Sequence, residues 1–200
     1  AAVVSALGAS IVFQNAVMLI YGARVYVYPE NLIPTLTFNI FGLNVPLMRV
    51  IVIVSSLVLM LALYAFINRT RMGTAIRAVA IDQGAARLMG INVDRVISLV
   101  FFIGAGLGGF AGVMVGTYYG QIDFTMGWSY GLKAFTAAVL GGIGSVPGAM
   151  VGGIVLGLCE SFTTGYFSGD YEDVLAFGML VLILIFRPDG ILGKAKVQKV

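Results

Sequence analysis

Five arginines, Arg69, Arg71, Arg77, Arg87 and Arg95, lie within residues 68–95 among alanines, glycines and isolated apolar side chains. Such a segment can pair with anionic groups and fix register against a partner, but it carries no arrangement that breaks bonds. The chain has no histidine, and its one cysteine, Cys159, sits in an apolar run where a thiol acts as a small inert hydrophobe. Histidine-based catalysis, most zinc chemistry and an intrachain disulfide are thereby excluded. The sequence shows no nucleophile–base pair, no metal-ligand spacing and no Gly-x-x-x-x-Gly-Lys-Ser/Thr phosphate loop. No catalytic residue, metal ligand or cofactor is expected on this chain. Two polar features remain. Gln14 and Asn15 interrupt the first apolar run, where an amide either bonds to a neighbouring helix or lines a polar path. The cluster Gly141, Gly142, Gly144, Ser145, Pro147 and Gly148 either packs helices closely or presents bare carbonyls to a cavity.

The elements that must position these residues follow from composition. Hydrophobic residues make up 60% of the chain and charged residues 10%, with a mean hydropathy of +1.00. A soluble domain carries about a quarter charged residues, so the fold class expected is all-α, a polytopic transmembrane helical bundle. Glycine, at 27 of 200 residues, suits helices that pack closely in lipid. A span needs about 20 apolar residues at 1.5 Å rise each. The whole chain, 1–200, reads as a single transmembrane domain with spans at about 1–23, 47–68, 96–120 and 171–187. The run between is broken by the glycine–proline cluster and reads as a pair of short helices, 131–141 and 148–160. The chain begins Ala1-Ala2-Val3, already apolar and without a basic leader, and reads as entered part-way through a larger chain.

Charge sets the orientation. Arg187, Lys194, Lys196 and Lys199 in the tail, with the five loop arginines, account for nine of the twelve basic residues. Both segments are expected in the cytoplasm. Six of the nine acids (Glu30, Asp123, Glu160, Asp170, Glu172 and Asp173) lie in the remaining connections, which would face outward. Parity keeps the tail inside only if the broken run enters and returns, with arms of about half a bilayer each, a re-entrant pair. Net charge of +3 is explained by this topology, and no nucleic-acid partner is expected.

Within the loop 69–95, residues 74–80 favour helix. Asp82 can cap a second short helix through Met89, which Gly90 and Asn92 are suited to end. That helix carries Ala85, Leu88 and Met89 on an apolar side, with Gln83 and Arg87 off it. Two readings stay open on spacing alone: a helix lying on headgroups, or a knob for a groove on another protein.

The stretch Arg77-Ala78-Val79-Ala80-x-Asp82-x-x-Ala85-Ala86-Arg87-Leu88-Met89-Gly90-Ile91-Asn92 resembles the cytoplasmic coupling loop of the bacterial high-affinity branched-chain amino acid ABC-transporter permeases. Gly141-Gly142-Ile143-Gly144-Ser145-Val146-Pro147-Gly148 and Phe186-Arg187-Pro188-Asp189-Gly190-Ile191-Leu192-Gly193 also resemble that family, in the same order. Gly84 stands where the importer motif usually has glutamate. The resemblance implies a permease subunit in the bacterial inner membrane, with no enzymatic activity of its own. It implies ATP bound by cytoplasmic ATPase subunits, a second permease subunit and a periplasmic solute-binding protein. It further implies that Arg77, Ala78, Asp82, Ala85, Ala86, Arg87, Met89, Gly90 and Ile91 form the coupling surface, with Ala85, Ala86 and Gly90 as contact points. Related permeases carry urea, amides or other amino acids, which is the alternative solute class. A secondary carrier would need charges within its spans, and these runs have none.

Three smaller expectations complete the reading. Glu160 is expected to cap the second short helix or pair with Lys133 rather than bind substrate. The glycines of Gly104-x-Gly106-x-Gly108-Gly109-x-x-Gly112 are expected to pack against another helix. Residues 38–45 suggest a short hairpin turning at Gly42-Leu43-Asn44.

Overall fold

Charge-free runs without proline become the long helices of the computed structural model, which describes residues 2–29, 36–40, 43–187 and 189–193. These divide into two compact units, residues 1–124 and 125–200. In the first, α1 (Ala2–Tyr21) is followed by β1 (Tyr26–Val27), then by β2 (Thr37–Ile40) and β3 (Leu43–Pro46). Next come α2 (Leu47–Arg69), α3 (Arg71–Ile81), α4 (Gln83–Leu88), α5 (Val93–Tyr119) and β4 (Gln121–Ile122). The hairpin expected at 38–45 forms as β2–β3, antiparallel with Ile40 opposite Leu43, so Leu43 and Asn44 belong to the strand β3 and not to the turn expected at Gly42-Leu43-Asn44; residues 41–42 lie outside the described residues. A second antiparallel pair, β1 with β4, joins Tyr26 to Ile122 and ties the ends of α1 and α5 together.

In the second unit α6 (Met126–Gly141) and α7 (Val146–Tyr166) lead through a single 3-10 turn, Gly169–Tyr171, to α8 (Glu172–Phe186). Three helices are long and apolar enough to cross a membrane by length and composition: α2, α5 and α7. The chain is therefore a polytopic helical membrane protein. Its apolar exterior agrees: Phe13, Ile53, Phe101 and Phe102 are all more than 60% exposed, as side chains that meet lipid or protein must be.

One boundary needs correction. The reversal falls where the glycine–proline cluster placed it, but the arms are 16 and 21 residues rather than the short 131–141 and 148–160. At helical rise the second arm is about 31 Å long, a full bilayer core rather than half of one. Helix α6 starts earlier because Met126, Trp128 and Tyr130 continue its apolar run. Helix α7 runs on because nothing after Glu160 breaks it before Phe167. The glycine stripe of α5 also differs from expectation. Within the first unit, a Cβ at Gly104, Gly106, Gly108, Gly109 or Gly112 would meet nothing within 4 Å, so these glycines pack against no described helix of that unit.

Candidate functional site

The loop between α2 and α5 folds as a small module with its own core. It turns first at Thr70, whose extended backbone ends α2 and starts α3. The Thr70 hydroxyl donates to the Phe66 carbonyl at 2.6 Å and accepts from the Gly73 N–H at 3.0 Å. Gly73 is required here: a Cβ would stand 2.2 Å from the Ile67 carbonyl oxygen. Neither Thr70 nor Gly73 was flagged by sequence, because the need for them arises only from how closely α3 folds back on α2.

Asp82 then caps α4 as anticipated, accepting from the N–H groups of Gly84 at 2.7 Å and Ala85 at 3.1 Å. The helix ends in a Schellman arrangement. Gly90 takes φ +82°, its N–H donates to the Arg87 carbonyl at 3.0 Å, and the Ile91 N–H donates to the Ala86 carbonyl at 3.0 Å. Gly90 is thus the residue that permits the turn. Asn92 does not end α4; it caps α5, accepting from the Arg95 N–H at 3.1 Å.

Val79, Ala86, Val93 and Val96 form a buried cluster, with Ala75, Ile76, Ile91 and Ile97 packed around it. This divides the residues expected on the coupling surface. Ala86 points inward at 4% exposure, and Ala78 and Ile91 are partly buried. Ala85, Met89, Asp82, Arg77 and Arg87 remain outside. The outward face is crowned by Ile81, Leu88 and Met89, at 87%, 90% and 81% exposure. Arginine holds the rim: Arg77 donates to Asn68 Oδ1 at 2.9 Å, and Arg87 approaches Asp94 at 3.8 Å. The result is an apolar ridge with a basic rim on a frame held by three caps, one Schellman turn and a small core.

The glycine–proline cluster is arranged oppositely. Ser145 caps α7 by accepting from the Gly148 N–H at 3.1 Å, with Pro147 in the first turn where its missing N–H costs nothing. Gly142 and Gly144 take φ +107° and +92° to reverse the chain. A Cβ at Gly152 would lie 2.1 Å from the Ala137 carbonyl oxygen, and one at Gly141 would lie 1.9 Å from that of Gly148. The helices touch backbone to backbone through small residues spaced four apart on both. The carbonyls freed by the break are taken: Leu140 accepts from the Ile191 N–H at 2.9 Å and Gly141 from the Leu192 N–H at 3.0 Å. Gly141, Gly148 and Gly152 are closely packed, while a Cβ at Gly144 would meet open space.

Gln14 is partly buried and Asn15 exposed. The Asn15 amide donates to the Ile11 carbonyl one turn back at 2.8 Å, so it is satisfied within its own helix. At the end of α6–α8 away from the glycine turn, Lys133 pairs with Glu160 at 3.4 Å, with Glu172 in close contact and with Asp173 at 3.7 Å. The pairing expected for Glu160 is therefore present.

Set against known proteins, residues 1–184 match the family described as branched-chain amino acid transport system, permease component. The high-affinity branched-chain amino acid transport system permease protein BraD of Pseudomonas aeruginosa is 46% identical over 98% of the chain and 65% of its own length. The permease protein LivH of the corresponding system in Escherichia coli is 45% identical over 100% of the chain and 66% of its own length. A more distant relative, LivM of Escherichia coli, is 30% identical over 80% of the chain and 39% of its own length. The chain thus spans just under two thirds of the length of BraD and LivH. No solved structure gives a significant match.

Proposed function

The chain belongs to the family of branched-chain amino acid transport permease components, and from that membership we propose that it forms the translocation path of an ABC importer for branched-chain amino acids. In this reading ATPase subunits dock on loop 69–95 from the cytoplasm and supply the energy. A second permease subunit, for which LivM is the precedent among relatives of this chain, completes the path, and a periplasmic solute-binding protein delivers the solute. The chain lies in a bacterial inner membrane with its C-terminus in the cytoplasm, as the basic loop and tail favour.

The observation that carries the reading is the exposed ridge of Ile81, Leu88 and Met89 on a module that has its own core. A surface that only needed to rest in water would not spend its most exposed positions on leucine and methionine. A rigid element that spans nothing yet continues directly into α2 and α5 can convert closure of a docked ATPase pair into a tilt of those helices. Ala86 serves the stiffness of the lever, and Leu88 and Met89 its grip.

The test is uptake of labelled leucine by vesicles holding the permease pair and ATPases, with binding protein outside. Uptake is expected to need ATP and to survive collapse of ion gradients. Leu88→Glu is expected to lower it at least about tenfold, since one charge in an apolar contact costs more than the 1.4 kcal/mol that a factor of ten represents. Uptake that follows an ion gradient without ATP would make the protein a secondary carrier. Full coupling in Leu88→Glu would return the loop to the headgroup reading.

A further inference from the structure

Helix α6 is held to α7 and α8 differently at its two ends. Toward the glycine turn the hold is backbone on backbone, at Gly141, Gly148 and Gly152. There the Ile191 and Leu192 N–H groups also donate to the last carbonyls of α6. Close-packed contacts of that kind have little slack. Toward the other end the hold is charge. Lys133 of α6 pairs with Glu160 of α7 and with Glu172 and Asp173 of α8. A short link, residues 167–171, joins α7 to α8 at this end, so all three pairs tie α6 to one hairpin. In the topology proposed above the tail is cytoplasmic, and this end faces outward.

Three features make the charged end the weaker one. The buried residues of α6 are Thr136, Val139, Leu140 and Gly141, all on the glycine side of Lys133, and none of residues 126–135 is buried. Helix α8 buries only Ala176 among its described residues, and lipid removes the hydrophobic drive between helices. The charges themselves are unevenly matched. One ammonium meets three carboxylates, which repel one another. Glu160 Oε1 is buried and has no hydrogen-bond partner among the described residues, although Lys133 stands 3.4 Å away. Charges taken from water and incompletely bonded add little net cohesion. Lys133 also lies 6.0 Å from the ring of Tyr130 on its own helix, a cation–π contact it keeps if the carboxylates withdraw.

We propose that Lys133 is a latch and the glycine turn a hinge: in the transport cycle the outer part of α6 parts from the α7–α8 hairpin while the glycine end stays closed. Lys133 is a positioning residue here, setting which arrangement of the helices is at rest. When the latch parts, the ammonium and the carboxylates regain water, which offsets the ion pairs they lose. The two arrangements then lie close enough in free energy for a partner to choose between them. The proposal rests on the permease reading above and adds which end of the second unit moves and what restrains it.

The experiment reads thiol labelling in the assembled permease–ATPase complex in lipid vesicles, on a Cys159→Ser background. Thr136→Cys and Val139→Cys each place a small thiol at a buried position of α6, the first nearer the latch and the second nearer the hinge. Reaction with a water-soluble maleimide is compared without nucleotide and after trapping with ADP and vanadate. The thiol at position 136 is expected to react at least about tenfold faster in one state than in the other, while that at 139 changes less than about twofold. Lys133→Gln should label fast at 136 in both states, and Lys133→Arg should restore the difference. Equal rates at 136 in the two states, or a difference that Lys133→Gln leaves intact, would overturn the latch. Labelling at 139 that rises together with 136 in Lys133→Gln would mean that the whole helix contact is lost, which overturns the hinge. ATP-driven leucine uptake is measured on the same vesicles. Uptake with unchanging labelling removes the latch and leaves the permease reading standing; absence of uptake by the wild-type complex removes both.

Discussion

Two stretches rich in glycine and alanine, residues 69–95 and residues 137–152, look alike as strings and are opposite as structures. The first keeps its small residue Ala86 inside and puts leucine and methionine outside. The second uses its small residues to bring backbones together, and gives its free carbonyls to the Ile191 and Leu192 N–H groups. One is closed within and leaves its large apolar side chains exposed; the other sets its small residues against the backbone of the facing helix. The difference lies in which side chains are left out, since both have turns, caps and positive-φ glycines; in the function proposed above, the first is a surface for a partner and the second a contact that holds helices together.

The comparison can be broken most forcefully at the helix contact. Gly152→Leu would drive a branched side chain into the Ala137 carbonyl, and the α6–α7 contact is expected to lose about 3 kcal/mol. That would appear as loss of monodisperse protein after solubilisation. Retention of the wild-type melting temperature would mean that the helices do not meet there. Next in size is Ala86→Glu, which forces a charge into the Val79–Val93–Val96 cluster. It should cost about 2–4 kcal/mol and open loop 69–95 to protease. If the loop stays protected, Ala86 faces outward after all. Asp82→Ala removes a cap that serves two N–H groups, for about 1 kcal/mol, read as a few degrees in melting temperature and faster amide exchange at Gly84 and Ala85. Leu88→Glu sits at the bottom of this scale. Because the side chain is 90% exposed, stability should change by less than about 0.5 kcal/mol while transport falls as stated above.

Much of this was legible before the structure. Long charge-free runs announce helices, Asp82 and Gly90 mark the ends of α4, and Gly142 to Pro147 mark a reversal. Each is a local signal, decided by neighbours within a few residues. What escaped was decided by distance in space. Ala86 and Ala85 are equally small, so no pattern tells which one faces the core. Gly73 is required only because the carbonyls of Phe66 and Ile67 stand against it. Asn92 can end one helix or begin the next, and the Ile91 N–H bonding back to Ala86 decides for the second. The second arm of the reversal was drawn too short because Glu160 looked like its end, and both Lys133 and Glu160 fall well inside the helices α6 and α7. They pair at 3.4 Å, so the span formed by α7 carries a charged residue where the runs were expected to have none. For the candidate sites, the loop was visible as a charge cluster.

The central claim is that the ridge of Ile81, Leu88 and Met89 seats in the ATPase. Single photo-crosslinking residues at Leu88 and at Ala86, placed in the assembled complex, test it most directly. The account predicts a crosslink to the ATPase from position 88, lost when the ATPase is absent, and none from position 86. Crosslinks from position 88 only to lipid, or equal capture of the ATPase from both positions, would contradict it.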